Sequence, residues 1–193
     1  MRLWLMTVTL LCSLPLLAGQ FMQPDNLYPR VQLETSAGDI VLELDRSRAP
    51  ITVNNFLSYV KSNAYNNTIF HRLIPDFVVQ GGGYDMQFKE IKQNKTIFNE
   101  AGNGLKNQLG SIAMARLSDP HTASSQFYIN LADNNSLDPG LRWGYAVFGR
   151  VVSGFEVLDN LNLLETETSV SLGWPDVPRQ PLLLKTVRLL PSE

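Results

Sequence analysis

Short β-rich runs separated by turn residues fill most of this chain and constrain its fold more than any other feature. Stretches rich in Val, Ile, Phe and Tyr alternate with clusters of Gly, Asn, Asp and Pro. Predicted strands lie at 31–36 and 40–45, joined as a hairpin by Ala37-Gly38-Asp39, and at 68–73, 77–80, 111–116, 126–131, 145–152 and 182–190. Because many short strands leave exposed edges unless the sheet closes, we expect an all-β-dominated fold built on a closed barrel.

Two helical patterns accompany the strands. Pro50 suits the first position of a helix, and apolar side chains then recur at i, i+3, i+4 and i+7 as far as Ser62. A shorter pattern of the same kind opens after Gly154. The apolar stripes consist of Val53, Phe56, Leu57 and Val60 in the first helix and of Phe155, Leu158 and Leu161 in the second. We therefore expect two helices to cap the barrel.

The length and the composition of the chain predict one folded domain. The chain has 193 residues, of which 44% are hydrophobic and 18% charged. Its formal net charge of -2 offers no basic excess for a phosphate backbone, so nucleic acid is not an expected partner. The polar stretch 85–108 has few apolar anchors, and connections of such length are usually functional.

The first residues have the three parts of a secretory signal. Arg2 precedes an apolar run at 3–17, and the small residues Ala18 and Gly19 follow it. The run has about 15 residues and contains Pro15, whereas spanning a bilayer takes about 20. We predict a signal peptide at 1–19, an N-terminal arm at 20–29 and one domain at 30–193, with a periplasmic location. Secretion, or tethering by an uncleaved leader, is the alternative.

Cysteine usage limits the chemistry of the mature chain. The one cysteine, Cys12, lies inside the predicted leader. Disulfides, thiol catalysis and cysteine-ligated metals are therefore excluded after cleavage. With only His71 and His121 in the whole sequence, a histidine metal cluster is not expected either.

Four motifs together resemble the cyclophilin family. They are FHRLIPDFVVQGGGY from Phe70, SIAMAR from Ser111, SSQFYIN from Ser124 and YAVFGRVVSG from Tyr145. The resemblance runs from about Val31 to Leu190, and the leader and short loops make the chain similar to exported bacterial members. It implies a peptidyl-prolyl cis-trans isomerase without cofactor or metal, on an eight-stranded antiparallel barrel closed by two helices. The implied substrates are proline-containing unfolded or flexible polypeptides, and a monomer is expected.

The resemblance also assigns site residues. It places the catalytic arginine at Arg72, with Gln80 orienting it and Gln126 contacting the peptide. The implied substrate-binding residues are Phe77, Val78, Gln80, Ala115, Arg116, Gln126, Phe127, Tyr128, Leu137 and Tyr145. As large apolar side chains, Phe70, Phe127 and Phe148 are by default expected in the core. We assign His71 a structural role.

Several positions depart from the family pattern. Arg116 replaces the usual asparagine, Tyr145 a histidine and Tyr128 a phenylalanine. Ser136, beside Leu137, stands where many eukaryotic members have tryptophan. We therefore expect weak cyclosporin binding, while the arginine and the floor of the pocket are retained.

The implied chemistry suits an arginine. Rotation about an X-Pro bond faces a barrier of about 18–20 kcal/mol, because the nitrogen lone pair is delocalised into the carbonyl. In the twisted amide the prolyl nitrogen can accept a hydrogen bond, and Arg72 carries a planar fork of donors that stays charged. No acid, base or metal is needed.

Two other classes of protein remain as alternatives. A peptide-binding module or chaperone would keep the proline slot and lack turnover, and the presence of Arg72 favours the enzyme. A ligand-binding barrel would need an empty interior, whereas bulky apolar alternation predicts a filled one. Gly81-Gly82-Gly83 lacks the spacing of a phosphate-binding loop and indicates a turn of the backbone.

Overall fold

The computed structural model describes residues 22–192, so the signal peptide predicted at 1–19 lies outside the described residues. The strands are β1 (Arg30–Thr35), β2 (Gly38–Leu44), β3 (Thr68–Ile74), β4 (Val78–Asp85), β5 (Ser111–Met114), β6 (Phe127–Asn130), β7 (Val147–Ser153), β8 (Thr166–Glu167), β9 (Val177–Pro178) and β10 (Leu182–Leu189). The helices are α1 (Pro50–Lys61) and α2 (Phe155–Leu161), with single 3-10 turns at Ala101–Asn103 and Asn135–Leu137.

Eight of these strands close into one barrel. Their order around it is β1-β10-β3-β4-β6-β5-β7-β2, and every neighbouring pair is antiparallel. The predicted closed eight-stranded barrel with two helices is confirmed. The short pair β8–β9 lies outside the barrel and was not predicted, because two residues a strand leave no periodicity to read.

Helix α1 lies across the core through the predicted apolar stripe. Its residues Val53, Phe56 and Leu57 are buried, and the Phe56 ring lies 5.3 Å from that of Phe148. Ala49 offers no side-chain cap to the first turn. Glu100 takes that role from a distant loop, since its carboxylate accepts hydrogen bonds from the first-turn backbone. The sequence next to helix α1 therefore contains no residue that identifies its N-terminal cap.

Aromatic rings fill the barrel interior. Phe127 lies edge-on to Phe56 at 5.4 Å and to Phe70 at 6.1 Å, and all three side chains are buried. A ligand-binding barrel needs that space empty, so the packing excludes this alternative.

The three glycines of β4 serve the backbone, as the sequence predicts. Gly82 has a φ of +76°, a conformation that side chains rarely adopt. A β-carbon on Gly81 would lie 2.8 Å from the Phe70 ring. These close approaches accompany register shifts between β3 and β4, which end with Arg72 paired opposite Gln80.

The described part of the arm is held on the barrel. The buried side chain of Arg46 donates to the backbone carbonyls of Met22, Gln23 and Asn26. Within residues 22–192, no helix is both long enough and apolar enough to cross a bilayer.

Candidate active site

The candidate site lies on the outer surface of the barrel, where β3, β4, β5 and β6 are adjacent. Alternation along a strand separates the two faces. Val79 and Phe127 belong to the main core, whereas Val78 and Tyr128 belong to a second, smaller apolar cluster. The sheet register places Gln80 opposite Tyr128 and Ala113 opposite the same tyrosine. The barrel thus carries a separate apolar floor outside its core.

A cavity of about 320 Å³ opens above this floor, and we call it the slot. Its lining residues are Arg72, Phe77, Val78, Gln80, Ala115, Arg116, Tyr128, Leu137 and Tyr145. These positions come from five separate stretches of sequence, and the barrel brings them to one place. Ser136 is exposed beside Leu137 in the 3-10 turn.

Two residues assigned from the resemblance lie outside the slot. Phe127 is completely buried in the main core, because its neighbours Gln126 and Tyr128 take the outward positions of the strand. The expectation that Phe127 binds substrate is thus corrected. Gln126 lines an adjoining cavity of about 260 Å³, which shares Gln80, Ala115 and Arg116 with the slot.

The contacts at the polar edge of the slot differ from the ones that the resemblance implies, in which Gln80 orients Arg72. Gln80 donates through Nε2 to Oε1 of Gln126 at 2.9 Å. Arg72 instead forms an ion pair with Asp176, with Nε and Oδ2 3.5 Å apart. The Arg72 side chain is 38% exposed and lines the slot. No sequence pattern points to Asp176, which lies in an irregular segment far along the chain.

Tyr128 forms the floor of the slot, and its hydroxyl group has a hydrogen-bond partner. Its hydroxyl donates to Oδ1 of Asn107 at 2.8 Å, and its ring lies 5.8 Å from that of Tyr145 in an edge-on arrangement. Burial raises the pKa of the Tyr128 hydroxyl far above its usual range, and the nearby Tyr145 adds to this shift. The group stays protonated and cannot serve as a base near neutral pH.

Arg116 forms the other wall through its own contacts. Its guanidinium carbon lies 4.4 Å above the Tyr145 ring, a cation–π geometry. The same group donates to the carbonyls of Leu117 at 2.8 Å, Trp143 at 2.5 Å and Gly144 at 3.3 Å. Arg116 therefore ties together two loops that flank the slot.

His71 takes no part in the slot. Its side chain is buried, and its ring lies 4.8 Å from Tyr84 and 6.2 Å from Trp174. Burial, together with the charge of neighbouring Arg72, lowers the His71 pKa to about 4. Residues 22–192 contain no cluster of three or more His, Cys, Asp or Glu side chains able to hold a metal.

Comparison with known proteins shows which family the chain resembles. The family model described as "Cyclophilin type peptidyl-prolyl cis-trans isomerase/CLD" matches residues 30–187. The chain is 49% identical over 162 residues to peptidyl-prolyl cis-trans isomerase A of Dickeya dadantii, covering 83% of this chain and 84% of that protein. It is 44% identical over 161 residues to peptidyl-prolyl cis-trans isomerase B of Escherichia coli, covering 81% and 97%.

A solved structure shows the same fold. The crystal structure of a cyclophilin type peptidyl-prolyl cis-trans isomerase of Cryptosporidium parvum superposes with a TM-score of 0.71 at 26% identity, covering 86% of this chain and 99% of that one. The same enzyme solved in the presence of the dipeptide Ala-Pro also gives a TM-score of 0.71, at 28% identity. The family model and these relatives show that this chain belongs to the cyclophilin family. It is a peptidyl-prolyl cis-trans isomerase of that family.

Proposed function

We propose that the protein accelerates X-Pro rotation in exported polypeptides and so assists their folding, with Arg72 as the catalytic residue. The observation that carries this proposal is the position of Arg72, a partly exposed side chain at the edge of a slot whose floor is apolar.

The slot suits the pyrrolidine ring of proline. Phe77, Leu137 and Tyr128 present apolar surface to it, and Ala115 leaves room between them. Holding the ring while the preceding residue turns requires contact on one side of the amide bond only. Clamping the ring therefore leaves the rotation itself free.

Arg72 then stabilises the twisted amide. In the planar amide the prolyl nitrogen is a poor acceptor, whereas in the twisted state its lone pair is localised and accepts a hydrogen bond. A guanidinium donor at the slot edge therefore binds the transition state more tightly than either ground state. No covalent bond breaks, and no proton is transferred.

Leader composition supports a role outside the cytoplasm. Arg2, the apolar run at 3–17 and the small residues Ala18 and Gly19 have the order of a signal peptide. Slow X-Pro isomerisation limits the folding of many polypeptides, including those that fold after export. We propose a periplasmic monomer that acts on flexible proline-containing segments.

Exchange spectroscopy by NMR on a short Ala-Pro peptide tests the catalytic role. The intact protein should accelerate cis-trans exchange, and Arg72→Ala should lower the catalysed rate about 100-fold while leaving the fold intact. Arg72→Lys is the matched variant, since it keeps the charge and removes the planar fork. Full acceleration by Arg72→Ala would contradict the proposed role.

Expression of the full chain in a bacterial host tests the compartment. Fractionation should place the protein in the periplasm, and mass spectrometry should show a new N-terminus next to Ala18 or Gly19. A full-length chain in the membrane fraction would support the tethered alternative instead.

A further inference from the structure

A short segment near the end of the chain lies against β3 beside the catalytic arginine. We call residues 173–178 the flanking segment. Its residue Asp176 accepts a hydrogen bond at its backbone carbonyl from the amide of Leu73, at 2.8 Å. The carboxylate of the same residue pairs with Nε of Arg72 at 3.5 Å. Backbone and side chain of Asp176 thus contact two consecutive residues of the strand.

The flanking segment is anchored by rings on the outer face of the barrel. The Trp174 ring lies 4.9 Å from Tyr84 and 6.0 Å from Phe88. The carbonyl of Trp174 also accepts a hydrogen bond from the amide of Ser169 at 2.8 Å. These contacts fix the segment independently of Arg72.

Asp176 itself has an unusual backbone. Its φ is +60°, in the left-handed region that Asp and Asn tolerate better than other side chains. The conformation directs the chain so that one residue presents its carbonyl to Leu73 and its carboxylate to Arg72. The contacts of the surrounding flanking segment offset the free-energy cost of this conformation.

The ion pair between Asp176 and Arg72 can orient the guanidinium group. Nε is the nitrogen next to the aliphatic stem, so a partner there restricts the plane of the group and leaves the terminal nitrogens for substrate. Both partners are about one-third exposed, and exposed ion pairs add little to stability. An unrestrained arginine samples many rotamers, and its ordering would have to be repeated at every turnover.

We propose that Asp176 is a positioning residue that holds Arg72 in the orientation needed for catalysis. This inference rests on the proposed role of Arg72. It assigns to the flanking segment a function in turnover rather than in peptide binding.

The test compares Asp176→Asn with the intact protein. Asn fits the left-handed backbone and keeps the size of the side chain, so the variant removes the charge alone. The catalysed exchange rate at saturating peptide should fall about fivefold, while the peptide dissociation constant changes less than about twofold. The Nε–Hε signal of Arg72 in a nitrogen-15 spectrum should shift or broaden. Asp176→Glu keeps the charge and should restore part of the rate.

Glu165→Gln is the matched control. Glu165 forms an ion pair with Arg179 near the same segment, whereas the ion pair of Arg72 is with Asp176. Its removal should leave the exchange rate and the Arg72 signal unchanged. Thermal unfolding of each variant checks the fold, and the Arg72 signal of Asp176→Asn recorded well below its unfolding temperature tests the orientation even if that variant is less stable.

Arg72→Ala, measured alongside, separates the two proposals. If Arg72→Ala keeps its activity, the proposed function of Arg72 fails. If Arg72→Ala is inactive and Asp176→Asn matches the control in rate and in the Arg72 signal, the positioning role of Asp176 is overturned.

Discussion

The hydroxyl of Tyr128 donates a hydrogen bond of 2.8 Å to Oδ1 of Asn107, and this contact joins the floor of the slot to the long polar loop. Asn107 is itself fixed, since its amide and its Nδ2 both donate to Oδ1 of Asp138. Its backbone carbonyl accepts from Asn134 at 2.7 Å. The stretch 85–108, expected to be functional for its length alone, thus supports the slot from behind.

Replacing Tyr128 by Phe should destabilise the fold by removing this hydrogen bond. The change leaves the ring in place and deprives the buried Asn107 oxygen of its shorter bond, which costs about 1 kcal/mol in the free energy of unfolding. Denaturant unfolding measures the loss. Tyr28→Phe is the control, because the Tyr28 hydroxyl is exposed and its contact with Ser47 is long at 3.4 Å. Equal stabilities for the two variants would contradict the prediction.

Most of the fold was predictable because it rests on local patterns. The predicted hairpin at 31–36 and 40–45 corresponds to Arg30–Thr35 and Gly38–Leu44, and the first helix ends one residue before Ser62. Alternation and helical periodicity report directly which side faces the core. Boundaries shifted where bulges and turns end a strand, as in β4, which continues to Asp85 through its glycines.

The partners of the site were not predictable in the same way. The resemblance placed Arg72 and Tyr128 by motif, and neither motif contains Asp176 or Asn107. Both partners lie in irregular segments, where no period relates a residue to a distant contact. Phe127 is the opposite case. The motif assigned this residue to the pocket, whereas the alternation of the strand predicts that its side chain points into the core, where it is buried.

Acid should destabilise the fold through His71. The native pKa is about 4 and the ordinary value is 6.5, so between these values the unfolded chain binds a proton that the native state does not. Stability is therefore present above pH 6.5 and is lost as pH falls toward 4, by a total of about 3 kcal/mol. Unfolding free energies at several pH values measure this.

His71→Phe separates this contribution from other titrating groups. A phenyl ring can keep the contact with Tyr84 and removes the titration. The stability lost between pH 7 and pH 4.5 should be smaller in the variant by about 2 kcal/mol. An identical pH dependence in both proteins would show that His71 is not responsible.

Removal of the Arg116 side chain should weaken peptide binding. The guanidinium holds the carbonyls of Leu117, Trp143 and Gly144, so Arg116→Ala releases two loops that peptide binding must then order. We expect the dissociation constant of an Ala-Pro peptide to rise about fivefold, with a smaller change in the rate at saturation. Arg142→Ala removes an exposed positive charge nearby and is the control. Equal affinities in the two variants would exclude a role for these contacts.

Substitution of Gly83 by Ala should disturb the site from within the barrel wall. An added β-carbon would lie 2.7 Å from the side-chain carbons of Gln126, so that side chain must move. Its hydrogen bond from Gln80, now 2.9 Å, would be lost, and Gln80 lines the slot. We expect the side-chain amide signals of both glutamines to shift in NMR spectra and the catalysed exchange rate to fall about threefold.

Gly102→Ala provides the control for that substitution. A β-carbon there meets no atom within 4 Å, so neither the glutamine signals nor the exchange rate should change. If Gly83→Ala also leaves the Gln126 signal in place, the strand has shifted instead of the side chain. A lowered rate with unmoved glutamine signals would therefore assign the effect to the β4 backbone and exclude the Gln80–Gln126 contact as its cause.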